Sequence, residues 1–169
     1  MASIGIIYGS STGNTRDVCR KLQLMLGRET ADLLDVADAT PADFDRYRNL
    51  ILAVSTWGAG DLQDDWEEFY PDLDEVDFSG KRVAVLALGD QQHYGDAFCD
   101  CVPLLVDKVT ERGGTVVGFT EPEGYNYIAS RAERDGKLLG LILDEDNQAD
   151  QTDARLKRWI PRLRKAFAG

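Results

Sequence analysis

A strand-to-helix turn is encoded by Gly9-Ser10-Ser11-Thr12-Gly13-Asn14-Thr15. The apolar run before it, residues 3–8, predicts a β-strand, and residues 15–27 repeat apolar side chains with the spacing of an amphipathic helix. Backbone N–H groups and hydroxyls at such a turn can surround an anion. One hydroxyl would suffice to cap the helix, and this turn offers more than a cap needs. The turn therefore predicts a phosphate site formed by Ser10, Ser11, Thr12, Gly13, Asn14 and Thr15.

The kind of phosphate is narrowed by motifs that the sequence lacks. Without a Gly-x-x-x-x-Gly-Lys-Ser/Thr pattern, a nucleoside triphosphatase is disfavoured. Without Gly-x-Gly-x-x-Gly at this turn, the dinucleotide fingerprint is missing as well. Because the loop itself holds no cation, it predicts a terminal phosphate monoester bound by neutral dipoles.

Apolar and amphipathic segments alternate along the rest of the chain. Further strands are predicted over residues 30–36, 49–55, 81–88 and 115–119, and further helices over residues 97–112 and 152–167. Two of these strands are continuously apolar, which is typical of a parallel sheet covered on both faces. The alternation predicts an α/β fold with a doubly wound sheet and right-handed crossovers. The pattern breaks at residues 120–150, where an excursion either splits the last strand or adds a strand beside it.

Composition limits the classes of protein to which the chain can belong. With 169 residues, 43% hydrophobic and 29% charged, it is expected to form one globular domain over residues 1–169. A net charge of −11 argues against nucleic acid and anionic membranes as partners, and no apolar run is long enough for membrane insertion. The N-terminus lacks the basic stretch of a signal peptide, and an odd number of cysteines, 3, gives no disulfide framework. We therefore expect a cytoplasmic protein. We also expect it to be a monomer.

Two large aromatic residues follow neighbouring strands. The third strand leads into Ser55-Thr56-Trp57-Gly58-Ala59-Gly60-Asp61, and the fourth into Leu88-Gly89-Asp90-Gln91-Gln92-His93-Tyr94. A ligand of a doubly wound sheet binds at the carboxyl ends of its strands. Trp57 and Tyr94 would then flank one crevice, which favours a flat ring between them over packing of each on its own loop.

These segments resemble the long-chain flavodoxins over essentially the whole chain. The turn at residues 10–15 resembles their phosphate loop, and Thr56-Trp57-Gly58 and Gly89-Asp90 with Tyr94 resemble their two flavin loops. Further similar segments are Trp66-Glu67-Glu68-Phe69, Asp77-Phe78-Ser79-Gly80-Lys81 and Leu143-Asp144-Glu145-Asp146-Asn147-Gln148. The resemblance implies a flavodoxin-like, doubly wound, five-stranded parallel sheet with helices on both faces and an insertion in the last strand.

The resemblance also implies a cofactor and a function. The cofactor is one non-covalent FMN, and the function is low-potential electron transfer, mainly between neutral semiquinone and hydroquinone, by a carrier that is not an enzyme. An FMN-dependent NAD(P)H:quinone reductase on the same fold is the alternative. No catalytic or metal-binding residues are expected.

The resemblance distributes the FMN contacts over three loops. Residues 10–15 would hold the phosphate with help from Thr56, and Trp57 and Tyr94 would stack on the ring. Backbone groups of Ala59, Gly60, Asp90 and Cys99 would meet its polar edge. Asp100 and Asp146 are expected near the ribityl chain or the pyrimidine edge. The site predicted in full is Ser10, Ser11, Thr12, Gly13, Asn14, Thr15, Ser55, Thr56, Trp57, Gly58, Ala59, Gly60, Leu88, Gly89, Asp90, Tyr94, Cys99 and Asp100.

An acidic segment predicts the kind of partner. No lysine or arginine occurs over residues 49–80, and the acids of residues 61–77 are Asp61, Asp64, Asp65, Glu67, Glu68, Asp72, Asp74, Glu75 and Asp77. This segment would border the flavin, which favours docking to the basic face of redox partner proteins. The resemblance implies partners such as a ferredoxin–NADP reductase-like flavoprotein, photosystem I or nitrogenase reductase.

Overall fold

The computed structural model describes residues 2–168 and shows a central parallel sheet with helices on both faces. The strands are β1 (Ile4–Tyr8), β2 (Ala31–Asp35), β3 (Asn49–Trp57), β4 (Asp61–Leu62), β5 (Arg82–Leu88), β6 (Thr115–Val117), β7 (Glu133–Arg134), β8 (Lys137–Leu138) and β9 (Leu141–Leu143). The α-helices are α1 (Asn14–Leu26), α2 (Pro41–Asp45), α3 (Asp64–Phe69), α4 (Val102–Glu111) and α5 (Thr152–Ala168). Short 3-10 helices occur at Val36–Asp38, Tyr70–Glu75 and Ala149–Gln151.

The order of the main sheet is β2-β1-β3-β5, followed by a last strand in two pieces. Near its start, β5 pairs in parallel with β6, where Val83 lies opposite Val116. Near its end, β5 pairs in parallel with β9, where Ala87 lies opposite Ile142. The residues between β6 and β9 therefore interrupt one strand position, which confirms the doubly wound fold with an insertion in its last strand.

Side chains of the central strands alternate between two apolar cores. Ile51 and Ala53 of β3 pack on the side of α1 and α5, together with Leu22 and Trp159. Leu50 and Leu52 pack on the opposite side with α3 and α4, among Trp66, Phe69, Leu105 and Val109. Burial on both faces explains the continuous apolar runs. Within residues 2–168, no helix combines the length and the apolar character needed to cross a membrane.

Helix α4 begins later than the sequence pattern predicts. Residues 97–101 form turns, and α4 starts only at Val102, with Pro103 in its first turn where proline is well tolerated. Cys99 has φ +53, in the left-handed region, which is incompatible with a continuous helix. The amide of Phe98 donates to the carbonyl of Ala129 at 3.2 Å, so the insertion is hydrogen-bonded to the segment that precedes α4.

The strand predicted over residues 115–119 is shorter in the structure. It ends at Val117, because Gly118 has φ +81 and leaves the extended conformation. A Cβ on Gly118 would lie 3.2 Å from the Trp159 indole, so glycine allows this close contact. The indole Nε1 of Trp159 donates to the Gly118 carbonyl at 2.8 Å. A contact with α5 thus ends the strand and starts the insertion.

Candidate functional site

A cavity of about 250 Å³ opens at the carboxyl edge of the parallel strands. It is lined by Thr12, Asn14, Thr15, Ser55, Thr56, Trp57, Gly58, Leu88, Gly89, Asp90, Tyr94, Glu145 and Asp146. Most residues of the predicted site therefore meet in one place, since the loops after β1, β3 and β5 converge there. Glu145 was missing from the prediction, although it belongs to the flavodoxin-like segment at the end of the last strand.

The loop after β1 presents donors that have no protein acceptor. Gly13 precedes α1 in a left-handed conformation, with φ +93, and its amide donates to Ser10 Oγ at 3.0 Å. The backbone amides of Ser10, Ser11 and Thr12 donate to no other group within residues 2–168. The first N–H groups of α1 also lack intrahelical acceptors, as in every helix. Free amides, hydroxyls and a helix N-terminus together suit an oxyanion.

The two aromatic side chains line the same cavity. Trp57 and Tyr94 are each 43% exposed, unusually open for residues of their size. Trp57 ends β3, and the chain turns back so that Trp57 pairs with Asp61 of β4. Gly58 and Gly60 make this tight turn with φ +52 and +100. The geometry leaves both rings available to a planar ligand.

Asp90 organises the loop after β5. Its Oδ1 accepts from the amides of Gln92 at 3.1 Å and His93 at 3.0 Å, and from Asn147 Nδ2 at 2.8 Å. His93 Nδ1 lies 2.6 Å from Asp90 Oδ2. Burial opposes ionisation of Asp90, but these hydrogen bonds outweigh it and lower the pKa of the carboxyl group.

Acidic residues of the loops after β5 and β9 line one side of the cavity. Asp146 has its pKa raised by burial and then by the neighbouring charges of Asp90 and Asp144. Asp144 is fully buried and accepts from the amides of Gln91 at 3.1 Å and Asn147 at 3.0 Å. Among the described residues, no lysine or arginine lines the cavity. The described residues of the cavity wall therefore offer a ligand neutral hydrogen-bond donors and no cation.

The remaining predicted residues lie around the cavity rather than on its wall. Ser10, Ser11 and Gly13 share the phosphate-type loop, and Ala59 and Gly60 belong to the tight turn after Trp57. Cys99 is fully buried, and a Cβ on Gly89 would lie 2.6 Å from its Sγ. Burial raises the pKa of this thiol well above its usual range. Asp100 Oδ1 accepts from the Arg131 amide at 2.7 Å, so its carboxylate is directed toward the insertion.

Comparison with known proteins gives one consistent family. The flavodoxin family model matches residues 6–159. The chain is 44% identical over 164 residues to a flavodoxin of Nostoc sp., covering 97% of this chain and 96% of that protein. It is 42% identical over 165 residues to a flavodoxin of Synechocystis sp., with 97% of each covered.

A solved structure agrees with the sequence comparison. The crystal structure of Fusobacterium nucleatum flavodoxin bound to flavin mononucleotide superimposes with a TM-score of 0.92 at 34% identity, covering 98% of each chain. The superposition thus extends over nearly the whole of both chains. On the family match and on near-complete coverage by its relatives, the chain belongs to the flavodoxin family.

Proposed function

We propose that the cavity at the carboxyl edge holds one FMN non-covalently through the loops after β1, β3 and β5. As a flavodoxin, the chain is an FMN-carrying electron-transfer protein and not an enzyme. FMN, when bound, supplies a centre that accepts and releases electrons one or two at a time. The observation that carries the assignment is the pair of open aromatic rings, Trp57 and Tyr94, on the same cavity as the loop of free donors.

The loop after β1 suits the phosphate of FMN. Its free amides, with the hydroxyls of Ser10, Thr12 and Thr15, provide hydrogen-bond donors without a cation. Ser10 Oγ already accepts from the Gly13 amide, so its own proton remains available to donate. Thr56 lies on the same cavity and adds a further hydroxyl.

Trp57 and Tyr94 suit the isoalloxazine ring. Both side chains line the cavity from different loops, one after β3 and one after β5. Large aromatic faces bind a flat ring through burial and offset stacking. Rings on both sides would leave no room for a nicotinamide over the flavin, which disfavours the NAD(P)H:quinone reductase. No observation in the structure favours that alternative.

The acidic segment suits a basic partner protein. Asp61 pairs with Trp57 at the flavin loop, and Asp64, Asp65 and Glu67 form the first turn of α3 directly after it. Carboxylates beside a redox centre attract a basic surface and orient it during encounter. We propose that the basic faces of redox partners dock here, and that the chain acts as a monomer.

The cysteines agree with a cytoplasmic location. Cys19, Cys99 and Cys101 are all free and buried. Unpaired thiols are the usual state in a reducing compartment. We propose that the chain works in the cytoplasm, where its electron donors and acceptors would also be found.

Titration of the flavin-free chain with FMN and with riboflavin tests the site. We expect one FMN per chain, release by acid, and markedly weaker binding of riboflavin because it lacks the phosphate. Equal affinity for both flavins would contradict the phosphate assignment. Failure to bind either flavin would contradict the site as a whole.

A further inference from the structure

Gln63 is a buried polar residue within the acidic segment of residues 61–77. It lies between β4 and α3 and is only 1% exposed. Its backbone amide donates to the Ser55 carbonyl at 3.1 Å, which anchors it at the end of β3. A buried amide side chain is costly unless its donors and acceptor are all engaged.

Every polar atom of the Gln63 side chain has a partner. Oε1 accepts from the amides of Asp65 at 3.1 Å and Trp66 at 3.3 Å, which caps α3. Nε2 donates to Asp65 Oδ2 at 2.9 Å and to Ser11 Oγ at 3.0 Å. Backbone amides only donate and an ionised carboxylate only accepts, so these partners fix the orientation of the Gln63 amide.

The direction of the bond to Ser11 has a consequence for the hydroxyl. Since Gln63 Nε2 donates, Ser11 Oγ accepts, and the Ser11 proton is left free to point elsewhere. Ser10 is arranged in the same way by the Gly13 amide. The oxygens of these two adjacent hydroxyls therefore accept hydrogen bonds from the protein, and their protons remain available to an oxyanion.

Packing holds Gln63 against the start of the same loop. A Cβ on Gly9 would collide with Gln63 Oε1 and lie 2.6 Å from Cδ1 of Trp66. Trp66 is itself fixed, because its Nε1 donates to the Ala53 carbonyl of β3 at 2.8 Å. Only glycine lets the loop approach this closely.

We propose that Gln63 is a positioning residue for the FMN phosphate: its amide, held by the α3 cap and by Asp65, orients the Ser11 hydroxyl as a donor. The inference rests on the proposed function, because it assumes that the loop after β1 binds a phosphate. Gln63 lies outside the loop after β1, between β4 and α3, and it sets the direction of a hydrogen bond made by Ser11 within that loop. Among the described residues, none that lines the cavity is a lysine or arginine, so the orientation of neutral donors would matter more for the phosphate affinity.

The test compares Gln63→Met in the parent and in a Ser11→Ala background. The readout is the ratio of the riboflavin to the FMN dissociation constant, which isolates the phosphate contribution. Loss of one oriented donor should lower this ratio about threefold to tenfold in the parent background. In the Ser11→Ala background, the same substitution should leave the ratio unchanged, because Gln63 acts through Ser11.

Gln23→Met is the matched control. Gln23 Nε2 donates to the Ala31 carbonyl at 3.0 Å, far along α1 from the phosphate loop, so this variant makes the same substitution and loses one hydrogen bond away from the site. We expect it to affect thermal stability but not the flavin ratio. If Gln63→Met lowers the ratio equally with and without Ser11, or no more than Gln23→Met does, the positioning role is wrong.

Ser11→Ala in the parent covers the case in which the methionine variant does not fold. Ser11 is exposed, so this variant should keep the melting temperature of the parent. Loss of the donor that Gln63 orients should lower the flavin ratio about threefold to tenfold. An unchanged flavin ratio in this variant would overturn the proposal. A parent that shows no preference for FMN over riboflavin would instead overturn the proposed function.

Discussion

The side-chain amide of Asn147 donates a hydrogen bond of 2.8 Å to Asp90, and thereby joins the loop after β5 to the loop after β9. The same Nδ2 lies 2.9 Å from Oδ2 of the buried Asp144. Asp144 also accepts from the Gln91 amide, so two hydrogen bonds join the two loops, one from Asn147 and one from Gln91. The second half of the split strand thus fixes the loop that carries Tyr94.

Asn147→Ala should destabilise the protein and weaken FMN binding. Removing the donor leaves Asp90 and the buried Asp144 with fewer partners, which costs about 1–3 kcal/mol in the free energy of unfolding. Urea unfolding and FMN titration would measure both effects. Asn126→Ala, at an exposed position of the insertion, is the control and should change neither quantity. Equal behaviour of the two variants would contradict the role given to Asn147.

Trp57→Ala should weaken FMN binding by about 1–3 kcal/mol, the usual contribution of stacking and burial of a large ring. Flavin fluorescence in the complex should rise, because the indole no longer quenches it. Phe119→Ala is a suitable comparison, since Phe119 is 37% exposed and lies outside the cavity. An unchanged dissociation constant with quenched fluorescence would refute stacking by Trp57.

Electron transfer to a basic partner should slow as ionic strength rises, because salt screens exposed charges beyond about 8–10 Å. Glu67→Lys in α3 should slow association further by reversing a charge beside the site. Glu29→Lys makes the same change in net charge just before β2, at the opposite edge of the sheet. Stopped-flow rates for the two variants should therefore differ. Equal slowing would show that net charge, and not the acidic surface, governs docking.

Asp90 and Asp146, which both line the cavity, should have opposite effects on the free energy of unfolding as pH changes. Asp90 has a lowered pKa, so it stabilises the folded chain above its unfolded pKa of about 4, and this contribution is lost as pH falls through the folded value. Asp146 has a raised pKa, so its charged form destabilises the folded chain at neutral pH. At pH 7, Asp90→Asn should lower the free energy of unfolding and Asp146→Asn should raise it. Changes of the same sign would contradict these assignments.

The sequence pattern predicts those strands and turns whose structure depends mainly on neighbouring residues. The strand-to-helix turn at Gly13 and the continuously apolar β3 and β5 have the predicted positions, because backbone geometry and two-sided burial act on neighbouring residues. The start of α4 was predicted too early. Its true start depends on pairing of Phe98 with Ala129 in the insertion, which no local pattern reports.

The missed site residues have a similar explanation. Glu145 reaches the cavity only because the last strand is split and β9 ends beside β5. Gln63 stands in a segment whose composition indicates a solvated acidic surface, and only its tertiary contact with Ser11 distinguishes it. The contact of Asp100 with the flavin stays a prediction: Asp100 lies beside Gly60 of the loop after β3, and its carboxylate accepts from the Arg131 amide of the insertion.

Anaerobic reduction of the FMN-loaded chain tests the central claim, that the protein carries electrons between other proteins, most directly. The measurement is the visible flavin absorbance after addition of NADPH, first alone and then with a catalytic amount of an NADPH-oxidising flavoprotein. We predict no bleaching with NADPH alone and complete bleaching once the flavoprotein is present. Rapid, repeated bleaching by NADPH alone would show an NADPH-oxidising enzyme and would contradict the account.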